Sequence, residues 1–176
     1  MNRQQTIITL FGSGRAAEHE EVFKTAEQMG ALLAQHGFAI ANGGYEGIMR
    51  ASAKGAAAAG GKVIGVTCRA FKRSGPNEYI TDEIQTDTLT ERLTTLIRLG
   101  SAYIVFAGGT GTLLELADVW EHKNKGFREA DKPIILIGTF WQPLVQMMAE
   151  TDPKSARCVS IADTPRRALT ILQEAI

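Results

Sequence analysis

The chain has no excess charge of either sign: its 176 residues hold 19 lysines and arginines against 19 aspartates and glutamates. Without a bulk positive field, binding to DNA, RNA or an acidic membrane would need a local patch, so no nucleic-acid partner is expected. Cysteine is scarce. Cys68 and Cys158 lie far apart and show no CxxC or Cys/His ligand spacing, which argues against a disulfide framework and leaves two reduced, partly buried thiols. Long apolar runs are missing as well. None reaches membrane-spanning length, and Met1-Asn2-Arg3-Gln4-Gln5 leads into a strand without an apolar signal core. A cytoplasmic protein with no membrane partner is the expectation.

Several catalytic signatures are also absent. No GxxxxGK[ST] loop occurs, which argues against a P-loop NTPase. Gly12-Ser13-Gly14 lacks the GxSxG spacing of a nucleophile elbow. His19, His36 and His122 fall on helical segments without a ligand-spaced partner and are read as surface or capping residues. No metal and no resident cofactor are expected.

What is present is a core-forming composition, 44% hydrophobic and 22% charged, suited to one globular domain over residues 1–176. Short apolar runs at 6–11 (TIITLF), 38–41, 62–67 (KVIGVT), 102–106, 133–138 (PIILIG) and 157–161 read as strands. Helical spacing marks 18–35, a small-residue helix from Ile48 towards Gly60, and then 88–99, 112–125, 141–149 and 165–175. Residues 68–79 read as a long loop. Nearly continuous apolar strands alternating with helices indicate an α/β fold: a doubly wound, Rossmann-like domain with a mainly parallel sheet. Ligands gather outside the carboxyl ends of such strands, where the glycine clusters at Gly12, Gly43 and Gly108 fall.

The run Ala107-Gly108-Gly109-Thr110-Gly111-Thr112-Leu113-Leu114-Glu115 ends a strand in glycines and opens a helix. Glycine lets the backbone approach a phosphate closely, and a helix start leaves N–H donors without partners; the hydroxyls of Thr110 and Thr112 add to them. Glu115 is expected in the first turn of that helix, pointing at whatever the glycines hold. Trp120 and Trp141 are expected in a core or subunit contact, and the helix from Leu113 to Trp120 has apolar residues on more than one side, which suggests an additional buried face. The first turn, Gly12-Ser13-Gly14-Arg15-Ala16-Ala17, is a weak GxGxxA, and the second strand ends in Asn42 rather than a ribose-binding acid, so a usual dinucleotide site is not indicated.

Arg92, residues 102–106, the AGGTGTLLE run and Asn42-Gly43-Gly44-Tyr45-Glu46-Gly47-Ile48-Met49 together resemble the LOG family. Its members characterised as enzymes are phosphoribohydrolases that cleave the N-glycosidic bond of nucleoside 5′-monophosphates. The resemblance extends from Thr6 to about Val145. It implies a free base and ribose 5-phosphate as products, a nucleoside monophosphate as ligand, and a homodimer with sites near the interface. It makes Gly108, Gly109, Thr110, Gly111 and Thr112 the phosphate loop and Arg92 and Glu115 the catalytic pair. Gly43, Gly44 and Gly47 match the second glycine motif, and Gly12 and Ser13 the nucleotide-contacting first turn. The sequence departs from the pattern at Ala107 (proline in the family), Asn42 (glycine), Thr90 (histidine), Leu93 (lysine) and Leu114 (acid). A related branch, the molybdenum cofactor carrier proteins, implies the alternative of a noncatalytic binder of a phosphorylated ligand.

Overall fold

The computed structural model describes residues 5–72, 75–127 and 130–176. The strands are β1 (Ile7–Phe11), β2 (Ala39–Asn42), β3 (Val63–Cys68), β4 (Asp82–Thr86), β5 (Ala102–Val105), β6 (Ile134–Ile137) and β7 (Ser160–Ala162), all but β4 falling on the apolar runs. They pair in the order β4-β3-β2-β1-β5-β6-β7, every neighbouring pair parallel. Between them run α1 (Glu21–Gln35), α2 (Ile48–Ala58), α3 (Leu89–Leu99), α4 (Thr110–Lys125), α5 (Gln142–Thr151) and α6 (Pro165–Ala175). This is the doubly wound, Rossmann-like α/β sheet expected from the sequence.

Successive side chains on a strand point to opposite faces, and β5 feeds two cores. Ala102 and Ile104 pack with Phe23, Met29 and Leu172 under α1, α2 and α6. Tyr103 and Val105 pack with Leu96, Leu116 and Trp120 under α3 and α4. Both tryptophans are buried and spend their indole N–H inside the protein: Trp120 Nε1 donates to Ser155 O (2.9 Å) and Trp141 Nε1 to Phe106 O (3.0 Å). The additional apolar face of α4 stays partly open. Leu113 and Leu114 are about 40% exposed, at 39% and 42%, and Leu113, Leu116 and Trp120 line a groove of about 320 Å³ with Leu144 and Met148 of α5.

The small-residue character of α2 has a specific use. A Cβ on Gly30 of α1 would lie 2.0 Å from Ser52 O, and one on Gly55 of α2 would lie 1.8 Å from Glu27 O, so the two helices meet backbone to backbone. Gly55→Ala should therefore force the helices apart and lower stability by about 1–3 kcal/mol, as overpacking does. Urea unfolding would measure it, and an unchanged midpoint would contradict this packing.

Three local readings are corrected. β4 was not expected: its sequence DEIQT is polar and four of its five residues are exposed, because it is the sheet's edge and pairs only with β3. Helix α4 begins at Thr110, two residues early, so Glu115 lies in its second turn and no acid stands in the first. Of the strand expected over 157–161, Arg157 and Cys158 belong instead to a 3-10 turn (Ser155–Cys158), and β7 is Ser160–Ala162. Within the long loop of 68–79, Cys68 completes β3 and Arg69–Phe71 is a 3-10 turn; Arg73 and Ser74 lie outside the described residues. Among the described residues no helix is long and apolar enough to cross a membrane.

Candidate functional site

The strand order reverses direction at β1, whose neighbours are β2 and β5, so the chain leaves β1 and β5 towards opposite faces and opens a crevice at their carboxyl ends. Backbone bonds stitch the turns there. Ser13 N–H donates to Ala107 O (3.0 Å), and Ile48 N–H, at the start of α2, donates to Ser13 O (2.8 Å). The crevice is a cleft of about 600 Å³. Gly12, Ser13, Gly43, Arg92, Gly109, Thr110, Gly111, Thr112 and Glu115 all line it. Gly44, Gly47 and Gly108 do not; they shape the turns behind it. Gly47 has φ +67°, and a Cβ there would meet Ser13 O at 2.2 Å, so the second turn can press on the first only with glycine at this position.

Asn42, where the resemblance leads one to expect glycine, organises the second turn. It is fully buried; its Oδ1 accepts from Gly44 N–H (2.8 Å) and its Nδ2 donates to Met49 O (2.9 Å) and Ser52 Oγ (3.2 Å). That amide fixes the approach of Gly43 to the cleft. Ser13 is similarly engaged, its hydroxyl accepting from Arg15 N–H (3.1 Å).

At the start of α4 the capping residue is Gly109, which offers no side-chain cap, and the first intrahelical bond runs from Leu113 N–H to Gly109 O. The N–H groups of Thr110, Gly111 and Thr112 thus have no acceptor within the helix. A Cβ on Gly109 or Gly111 would meet nothing within 4 Å, so packing does not demand glycine at either position. Thr112 is buried under the loop, whereas Thr110 is exposed at the mouth.

Arg92 and Glu115 come together on the cleft floor from α3 and α4. Arg92 Nη1 lies 3.3 Å from Glu115 Oε1, with the two side chains only 8% and 13% exposed. Arg92 Nε donates to Val66 O within β3 (2.9 Å), and Nη2 contacts Met49 Sδ at 3.9 Å. The guanidinium occupies the space beside Gly43, where a Cβ would fall 1.7 Å from Nη2. Burial pushes the Glu115 carboxyl up to about 7, against the pull of the neighbouring guanidinium. A buried cation, an acid poised near neutrality and a row of free N–H donors therefore share one cleft. Such a site can hold an anion and exchange a proton beside it.

The sequence reading missed the other walls. Tyr45, Met49, Phe71, Leu89, Leu93 and Leu114 also line the cleft, with Arg15 at its edge. Tyr45 follows the Asn42-Gly43-Gly44 cluster directly, and Phe71 lies just beyond the carboxyl end of β3, where ligands gather in this fold; those were the available signals. Arg50, next to Met49, ion-pairs with Glu18 and with Glu78, tying the loop before α1 to the loop before β4. Among the described residues no group of three or more His, Cys, Asp or Glu side chains is placed to hold a metal ion.

Known proteins share this fold. The chain is 36% identical over 121 residues to the cytokinin riboside 5′-monophosphate phosphoribohydrolase of Mycobacterium tuberculosis, covering 68% of this chain and 64% of that protein. It thus spans just under two thirds of that relative's length. An uncharacterised protein of Archaeoglobus fulgidus is 32% identical over 131 residues, 74% of this chain and 83% of its own. Among solved structures, the molybdenum cofactor binding protein of Rippkaea orientalis superposes with a TM-score of 0.79 at 26% identity, over 97% of each chain. A model of the SLOG cluster4 family matches residues 5–169. The chain belongs to the SLOG cluster4 family.

Proposed function

We propose that the protein hydrolyses the N-glycosidic bond of a nucleoside 5′-monophosphate to give free base and ribose 5-phosphate. The observation that carries this reading is the buried Arg92–Glu115 pair, set in the same cleft as the free N–H groups of Thr110, Gly111 and Thr112. In this reading the start of α4 holds the 5′-phosphate, with Gly109 and Gly111 admitting it and Gly12, Ser13 and Gly43 facing the rest of the nucleotide. Breaking the bond gives the ribose oxocarbenium character and sends the bonding electrons to the base. Glu115 as carboxylate stabilises the positive sugar and takes a proton from the attacking water as its oxygen bonds to the anomeric carbon, while the departing base nitrogen takes up a proton from solvent. Arg92 holds that carboxylate in position. The mycobacterial relative's name supports hydrolysis as the reaction class.

A panel of nucleoside monophosphates assayed for ribose 5-phosphate tests the reading; release from none of them would overturn it. The pH profile is a second test. Since Glu115 acts as the anion and its carboxyl sits at about 7, kcat/KM should fall about tenfold per unit as pH drops below 7. A flat profile between pH 5 and 7 would remove Glu115 from the chemistry.

The likeness to the Rippkaea orientalis protein favours a second reading, a noncatalytic carrier of a phosphorylated ligand such as molybdenum cofactor. Ligand binding with no base release would select it. Both readings have a cytoplasmic protein, and both extend to a homodimer through the open α4–α5 face; light scattering would test the dimer.

A further inference from the structure

Phe71 is a large aromatic residue left 38% exposed on the wall of the cleft. Single exposed apolar side chains are common and need no explanation. This one is held in place from several sides. The Tyr45 hydroxyl accepts from Cys68 N–H (2.8 Å) and donates to Cys68 O (3.2 Å), pinning the end of β3 from which the 3-10 turn springs. Arg69, in the same turn, donates to Gln85 Oε1 (2.7 Å) and to Asp87 Oδ1 (2.6 Å). The Phe71 ring lies 6.0 Å from the Tyr45 ring, and its centroid 5.5 Å from the Arg92 guanidinium carbon. Leu89 and Leu93, one turn apart on α3, line the same cleft with Leu114.

The cleft therefore has two chemically different ends. The start of α4 offers N–H donors, whereas the end beyond β3 offers the Phe71 ring, 38% exposed, beside Tyr45 and with the Arg92 guanidinium over it. In the strand order, β3 is three spacings from β5, so the two ends stand about 14 Å apart at the backbone. A phosphate, a pentose and a planar ring laid end to end suit that span.

We propose that Phe71 is the stacking platform for the ring of the bound nucleotide, so that the cleft selects phosphates carrying an aromatic heterocycle over sugar phosphates alone. This rests on the phosphate lying at the start of α4, as in the function proposed above. Rings of every base present a π-face, so the platform contributes affinity without choosing strongly among bases. Phe71 binds and orients; it takes no part in proton transfer.

Equilibrium binding of AMP and of ribose 5-phosphate, measured in the Glu115→Gln background to keep the nucleotide intact, tests the proposal. Adding Phe71→Ala should weaken AMP binding about 5- to 150-fold while ribose 5-phosphate binding stays within a factor of two, about the loss that removing one stacking partner brings. Phe71→Trp should retain AMP binding, and its indole emission should change on addition of AMP but not of ribose 5-phosphate. Equal losses for both ligands, no loss for AMP, or no AMP binding at all would overturn the platform. Wild-type turnover separates this from the proposed function: Phe71-dependent AMP binding without base release removes the hydrolase and keeps the platform. Base release with AMP affinity untouched by Phe71→Ala removes the platform and keeps the hydrolase.

Discussion

Glu115→Gln is expected to reduce turnover of a nucleoside monophosphate by about 10²–10⁴-fold, the usual contribution of a positioned proton acceptor. The amide keeps the shape of the side chain and can still meet Arg92, but it can neither carry negative charge beside a developing oxocarbenium ion nor accept a proton from water. Nucleotide affinity should persist, because the N–H donors of Thr110, Gly111 and Thr112 are untouched. Stability should not be the cause of the loss. The burial that pushes the Glu115 carboxyl up to about 7 makes its ionised form a burden to the folded chain above that pH, and the neutral amide removes that burden. Steady-state assays at pH 8, paired with a binding isotherm for AMP, provide the check. Turnover within tenfold of wild type would exclude Glu115 as the proton acceptor.

Arg92→Met is expected to cost about 3–5 kcal/mol of folding stability at pH 9, the range found when one partner of a buried pair is removed. The side chain is 8% exposed, and replacing it strands the Glu115 carboxylate and leaves Val66 O without its Nε donor. The loss should depend on pH, and its sign follows from Glu115. Arg92 is the influence holding that carboxyl down, so its removal raises the folded-state value above about 7, while the unfolded value stays near 4.5. Between those values the folded state binds more protons than the unfolded one, so the stability of the variant falls as pH rises through the window. At pH 6 Glu115 is protonated and the penalty shrinks. Urea unfolding at pH 6 and pH 9 should show the larger difference from wild type at pH 9; equal differences would mean that the ion pair does not govern the loss.

The parallel sheet was legible in the sequence because six of its strands lie in apolar segments flanked by turns or helices, and the near-complete burial of β1, β2, β3, β5 and β6 leaves no alternation to misread. β4 escaped because an edge strand with a solvent-facing surface needs no apolar residues, and DEIQT carries only Ile84. The position of Glu115 shifted because α4 runs through Gly111, a residue that weakens a helix reading although the helix passes over it. Glycine turns report local geometry, which sequence carries well. Arg92 was different: it sits in a mixed-composition helix, and only the resemblance to a family singled it out. Its contacts with Val66, Met49 and Glu115 span separations of 26, 43 and 23 residues. Phe71 and Tyr45 belong to the cleft for the same tertiary reason, which no local period encodes.

The polar character of β4 also bears on how the chain behaves at high concentration. A sheet with two free edges invites strand addition by other molecules, the first step towards ordered aggregates. Here one edge presents exposed Asp82 and Glu83, with Asp82 already drawn to Lys62 at 3.3 Å. The other edge, β7, offers three residues. Neither is a template for extended pairing, so contacts between copies are steered away from the sheet and onto the helices.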